Sequence, residues 1–241
     1  MLKTLKALLG GGAEKSPTAE RPGDASFNAG LPLGMSAEDF AGLRLGGRVR
    51  LNLSELAVYP DTLFQFESDQ DYLIAAVGHV ELGQDAHLVR FYLENDTWLQ
   101  ASVENRRVIE YKLFDFYRVS HVSQAEFEAL LDAADPTSRP LGTRHLTIES
   151  TAGDGERTFE RVWGEPSSDW SPPVQFEEQV MTEQSVVTRQ VVHHAMLFER
   201  PIEGSERMEY VLMSAESDEE GSFMLAENLG VDVALLDIDA I

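Results

Sequence analysis

The chain has 241 residues, 43% of them hydrophobic and 25% charged, which is enough for one large domain or two small ones. Its formal net charge of −23 would repel phosphate backbones and anionic lipid, so nucleic acid is not expected as a partner. It contains no cysteine, which excludes disulfides, thiolate nucleophiles, iron–sulfur clusters and zinc–thiolate sites.

Residues 1–9 place Leu2, Leu5, Leu8 and Leu9 along one helical face, with Lys3 and Lys6 beside it. Nine residues are too few for a stable isolated helix. The segment reads either as a frayed terminus or as a docking element for a partner or a membrane surface. It is too short and broken for a secretory signal, and no apolar run approaches the roughly 20 residues that span a bilayer. The expected location is the cytoplasm, with weak peripheral contact to the inner membrane through this segment. Residues 10–29, rich in Gly, Pro, Ser and charge, read as a tether. Residues 1–30 are therefore expected to be a tail and 31–241 a domain, with two β-rich halves (31–134 and 144–241) as the alternative division.

Within that domain, Ser36 followed by Glu38 and Asp39 predicts a short capped helix. Val49, Leu51 and Leu53 alternate with polar residues and predict a half-buried strand. Residues 72–82 are apolar on both faces, as in a central strand. Residues 86–118 then read as three antiparallel strands. With three-residue loops at 95–97 and 105–107, Val89, Phe91, Leu93, Leu99, Ala101, Val103, Ile109, Tyr111 and Leu113 share one buried face. The opposite face carries Arg90, Tyr92, Trp98, Gln100, Lys112 and Phe114, and is expected to be half wet.

Ser123 with Glu126 forms a capping-box pattern before a helix whose stripe is Phe127, Leu130 and Leu131. Residues 135–143 are the best internal boundary. Strands are predicted over 146–149, 157–163, 174–182 and 186–199, and over 207–214 pairing back onto 195–199. Residues 216–221 read as an acidic loop, and 223–241 mix helix and strand signals. The fold class is thus α+β, dominated by antiparallel sheet as a meander and hairpins, with a few short helices.

The runs HLVRFYLENDTWLQ (87–100), MLFERPIEGSERMEYVLMSAE (196–216) and LAENLGVDV (225–233) resemble the YjfK-type family of bacterial proteins of unknown function. The resemblance spans roughly residues 45–233 and implies no activity, cofactor or site residues. It does imply an accessory role in an envelope or membrane-stress system.

Motifs for chemistry are sparse. His193 and His194 are adjacent, so on a strand they point to opposite faces and cannot chelate one metal. His79 should stand opposite Val89 rather than His87. Glu177 and Glu178 straddle a strand in the same way. No GxSxG elbow, P-loop or dinucleotide fingerprint occurs, and no cofactor or metal site is expected. Arg90, Tyr92 and Trp98 share a face whose composition suits an interaction surface, with packing under a helix as the bland alternative. The leading reading is a non-enzymatic interaction protein with a protein partner. The alternative is an enzyme, or a regulator of one, whose carboxylates and histidines come together from distant parts of the chain.

Overall fold

The computed structural model describes residues 30–68, 70–131, 141–150, 155–182, 189–218 and 221–241. Among the described residues, twelve strands and one α-helix occur, the strands in chain order being β1 (Arg48–Leu51), β2 (Tyr72–Gly83), β3 (Ala86–Leu93), β4 (Thr97–Glu104), β5 (Arg107–His121), β6 (His145–Glu149), β7 (Glu156–Arg161), β8 (Val174–Thr182), β9 (Arg189–Pro201), β10 (Met208–Asp218), β11 (Phe223–Val233) and β12 (Ile238–Ala240). The α-helix, α1 (Gln124–Leu131), follows β5.

Every pairing is antiparallel, and eight strands close on themselves in the order β2-β3-β4-β5-β11-β10-β9-β8. The ring is shut by β8, which pairs with both β9 and β2. Four of its strands precede α1 and four follow it. The sequence predicts a meander; the closed barrel is the more specific outcome. Closure leaves these strands without the free edges that invite aggregation. The β12–β1 ribbon joins the start of β2, and the β6–β7 ribbon joins the end of β9.

Eight strands enclose an interior just wide enough for side chains to fill it. The inward set includes Ala76, Val80, Leu88, Tyr92, Trp98, Phe114, Phe176, Val180, Ala195, Leu197, Tyr210 and Leu212, one of two apolar clusters. The larger cluster lies on the outer face: Val89, Phe91, Leu99, Met196, Phe198, Leu229 and their neighbours pack against Phe40, Leu53, Leu56, Phe64 and Phe159 from the surrounding segments. Most of β2 is therefore covered on both faces, whereas β8 alternates between the lumen and solvent. That is why residues 72–82 read as apolar on both sides.

The predicted shared face holds for eight of its nine residues, all buried in the outer cluster, whereas Ile109 is 55% exposed. The β4–β5 turn is the reason. It has two residues, Asn105 and Arg106, both left-handed (φ 49° and 61°), not the three expected. A bulge beyond Val103↔Val108 restores the parity, so that Ala101 still opposes Tyr111, and the residue it sets aside is Ile109. At the β3–β4 end the loop is residues 94–96, so Phe91 pairs with Leu99 and not with Ala101. A shift of two positions leaves every side chain on its face.

Both predicted caps form. Asp39 accepts from the Ser36 N–H at 2.8 Å, closing a single 3-10 turn over Ala37–Phe40, and Glu126 accepts from the Ser123 N–H at 2.7 Å ahead of α1. The expected acidic loop at 216–221 is corrected at its start, because β10 continues to Asp218 and turns Glu216 into the barrel. The segment 223–241, mixed in its signals, resolves into β11, a 3-10 turn and β12.

Candidate functional site: a charged lumen beneath an apolar mouth

Strand alternation sends Glu177 to solvent, where Gln190 Nε2 donates to it at 2.6 Å, and sends Glu178 into the lumen with zero exposure. Three donors converge on that buried carboxylate. Arg90 Nη1 reaches Oε2 at 2.6 Å, His193 Nε2 reaches Oε2 at 2.9 Å, and the Tyr92 hydroxyl donates to Oε1 at 2.8 Å. Burial alone would raise the Glu178 pKa; Arg90, His193 and Tyr92 outweigh it and hold the group at about 2. Gly78 makes room for it, since a Cβ there would lie 1.7 Å from Glu178 Oε1.

His193 occupies the middle of the cluster. Its Nδ1 lies 3.0 Å from Ser214 Oγ and 3.4 Å from Glu216 Oε1, while Nε2 faces Glu178. Burial opposes the imidazolium, but Glu216 and Glu178 together raise its pKa. Nε2 faces a Glu178 oxygen and Nδ1 stands between Ser214 Oγ and Glu216 Oε1, an arrangement that favours the imidazolium over the neutral ring. Arg90 and His193 thus stand between the carboxyl groups of Glu178 and Glu216. The ring of Phe176 stacks on His193 with centroids 5.0 Å apart, and Arg90 Cζ lies 5.5 Å from the same ring. Gln100 takes the remaining Arg90 Nε–H at 3.1 Å.

Ser214, His193 and Glu178 stand in the order of a nucleophile, a base and an orienting carboxylate. The resemblance stops at chemistry. A histidine held between two carboxylates that favour its protonated form is poorly disposed to take a proton from a hydroxyl. The cavity beside it, about 10 Å3, is about the size of one water. The cluster is a buried charge network that ties four strands together, with Glu216 Oε2 lacking a hydrogen-bond partner among the described residues.

The lumen opens at the end carrying the β2–β3 and β4–β5 turns. There the inward side chains of Leu88, Gln100, Lys112, Phe176 and Leu197 line a pocket of about 560 Å3. Its rim is apolar: Leu82 is 48% exposed, Ile109 55%, Val162 39% and Val174 39%. Acids stand among them. Glu110 accepts from Ser102 Oγ at 2.8 Å and pairs with Lys112, whose Nζ lies 4.8 Å from the Tyr210 ring centroid. Glu104 forms no ion pair among the described residues. Elsewhere, on the outer face, Glu209 Oε1 accepts the N–H groups of Leu63 and Phe64 at 2.7 Å each, and its Oε2 takes Arg200 at 2.6 Å. That cluster clamps the 60–67 segment to the barrel.

The three residues expected to form an interaction surface are brought together, but inward: Arg90, Tyr92 and Trp98 are only 3%, 3% and 2% exposed. Their reading as an outer surface is corrected by barrel closure, which roofs the face that a flat meander would leave wet. Trp98 instead stacks on Phe114, with ring centroids 5.2 Å apart. Leu2, Leu5, Leu8 and Leu9 lie outside the described residues. His193 and His194 do point to opposite faces, His194 meeting Phe127 of α1 edge-on at 5.7 Å. His79 opposes Val89 as expected, yet its Nε2 still reaches His87 Nδ1 diagonally at 3.1 Å.

Sequence reasoning missed Glu178, His193, Ser214 and Glu216 as a set. A signal was present: Glu178 has the parity of Phe176 and Val180, and His193 that of Val191, Ala195 and Leu197. A charge on the apolar side of two strands points to a partner charge between them. Among the described residues, no group of three His, Asp or Glu side chains is placed to hold a metal ion.

A family model described as "Protein of unknown function (DUF2491)" matches residues 14–239, and the chain belongs to that family. No curated protein and no solved structure matches the chain.

Proposed function

We propose that this family member is a non-enzymatic binding module whose barrel mouth receives a short apolar segment bearing positive charge from a protein partner. The observation that carries this reading is the set of four large apolar side chains, Leu82, Ile109, Val162 and Val174, exposed around one pocket. Isolated exposed apolar residues are ordinary, but a cluster rimmed by polar groups marks a binding site. The mouths of β-barrels are a recurrent place for one, and about 560 Å3 lies within the usual range. Glu110 is balanced by Lys112, so Glu104 at the rim, on a chain of net charge −23, favours a cationic occupant over an anionic one. The enzyme alternative would place its carboxylates and histidine at Glu178, Glu216 and His193, which are buried beside a cavity of about 10 Å3.

The test is a titration of the full chain by calorimetry with two synthetic nonapeptides of equal hydrophobicity, one Leu/Lys and one Leu/Glu. The Leu/Lys peptide should bind, the Leu/Glu peptide should not, and Val174→Asp should abolish the binding while the far-UV circular dichroism is unchanged. Equal binding of both peptides, binding that survives Val174→Asp, or no binding would overturn the reading.

A further inference from the structure

We infer that the mouth takes its occupant as an added β-strand paired to an open stretch of β8, so that the partner segment is extended and alternates apolar with basic residues. This rests on the mouth being a binding site for a cationic apolar segment. The exception to closure lies there. The seam between β2 and β8 runs from Ala76↔Thr182 to Val80↔Glu178 and then stops. Beyond it, residues 174–177 pair with β9 alone, and the end of β2 with β3 alone. A bulge sets Leu82 aside between Glu81↔His87 and Gly83↔Ala86, and a bulge bends the strand that carries it. The pocket of about 560 Å3 is lined from both sides of the resulting gap, by Leu82 on one and by Val174 and Phe176 on the other.

The backbone direction of β8 at the gap follows from its neighbours. One edge of β9 is taken by β10, so β7 and β8 share the other. On that shared edge the Val162 N–H donates to the Leu197 carbonyl at 2.8 Å. Alternation turns the backbone of Ala195 and His193 to the same edge, so their partners Val174 and Phe176 are the residues bonded to β9. Gln175, between them, points its N–H and C=O the other way, into the gap. A segment running antiparallel to β8 can exchange both hydrogen bonds with Gln175, which is strand addition. Side chains set the rest of the partner's chemistry. Its residues beside Val174 and Phe176 face the mouth, where Leu82, Leu88 and Leu197 suit apolar groups. Its residues beside Gln175 and Glu177 face outward, between the exposed acids Glu177 of β8 and Glu81 of β2, and there Lys or Arg fits.

The test compares two Leu/Lys nonapeptides of identical composition by calorimetry on the full chain, one strictly alternating and one with its leucines at helical spacing. The alternating peptide should bind more tightly by roughly tenfold or more, the scale of a lost hydrogen bond or two. Gln175→Pro removes the N–H that faces the gap and leaves the bonds to β9 in place. It should weaken the alternating peptide by a similar factor with the far-UV circular dichroism unchanged. Methylating the peptide's backbone nitrogens makes the same test on the unaltered chain. Methylation at the lysines, whose backbone faces Gln175, should abolish binding, and methylation at the leucines should spare it. If the helically spaced peptide binds as tightly, or if binding survives Gln175→Pro in folded protein or methylation at the lysines, strand addition is wrong and the mouth stands as a binding site. If neither peptide binds, both readings fail.

Discussion

Replacing Gly78 with alanine sets two effects against each other with opposite signs. Gly78 has ordinary extended backbone in the middle of β2, where glycine is usually worse than alanine by about 0.5–1 kcal/mol. A generic forecast is therefore mild stabilisation. The lumen reverses it: the new methyl carbon would lie 1.7 Å from Glu178 Oε1 and 2.8 Å from its Cδ. Ordinary C···O contact begins near 3.3 Å, so the carboxylate must retreat by roughly 1.5 Å. Its hydrogen bonds to Arg90, Tyr92 and His193 are 2.6–2.9 Å long, and a move of that size breaks them. Breaking a buried charge pair costs about 3–5 kcal/mol, leaving a net loss of about 2–4 kcal/mol. For a chain of this length that corresponds to a drop in Tm of about 4–16 °C. Urea denaturation followed by circular dichroism gives the free energy. In a Glu178→Ala background the same Gly78→Ala change should cost much less, because the group it displaces has gone. A neutral or stabilising Gly78→Ala in the otherwise unchanged chain would refute the placement of Glu178.

Three further outcomes follow from the same geometry. The raised pKa of His193 contributes stability that is complete below the unfolded value of 6.5 and is lost as pH rises through the folded one. Glu178 has the reverse sign, its contribution present above 4.5 and lost as pH falls toward about 2. These two contributions are both full between about pH 4.5 and 6.5. Asp115, raised by burial to about 7, withdraws stability as pH rises from 3.8 toward that value. His193→Gln should therefore remove only the part of the alkaline decline in denaturation midpoint that His193 causes. The difference between wild type and His193→Gln isolates this group, since His79 and His194 have lowered pKa values and contribute in the opposite sense. Ser123→Ala should cost about 1 kcal/mol by deleting the cap of α1, measured by the same denaturation, with hydrogen exchange quickening in α1 alone. A fluorophosphonate reagent should leave Ser214 unlabelled in native protein by mass spectrometry, because its hydroxyl is buried in the lumen.

How much of this was legible in the chain depends on the range of the interaction. Local chemistry was readable: the capping acids Asp39 and Glu126, the parity of β3, β4 and β5, and the return of β10 onto β9. Turn length was not, because the two-residue turn at Asn105 and Arg106 with a compensating bulge buries the same residues as a three-residue loop, save Ile109. Closure was not readable either. Nothing near Ala76 declares that it will pair with Thr182, and without that pairing Arg90, Tyr92 and Trp98 look like surface. The charged cluster inherits this difficulty, since Arg90 and Glu178 stand 88 positions apart. Each is an isolated charge until the wall curls round.

That separation bears on how the protein folds. The β2–β5 meander needs only neighbouring hairpins, so it can form early, with Arg90 still hydrated on an open face. Glu178 arrives with β8, across a loop that is costly in entropy to close. Inserting β8 dehydrates both charges in one event, and neither tolerates burial without the other. If that pairing closes the ring last, it acts as a kinetic gate. Substitutions at Arg90 or Glu178 should slow refolding at the closing step while leaving the early hairpins untouched, and the species that accumulates would be an open sheet with its edges bare.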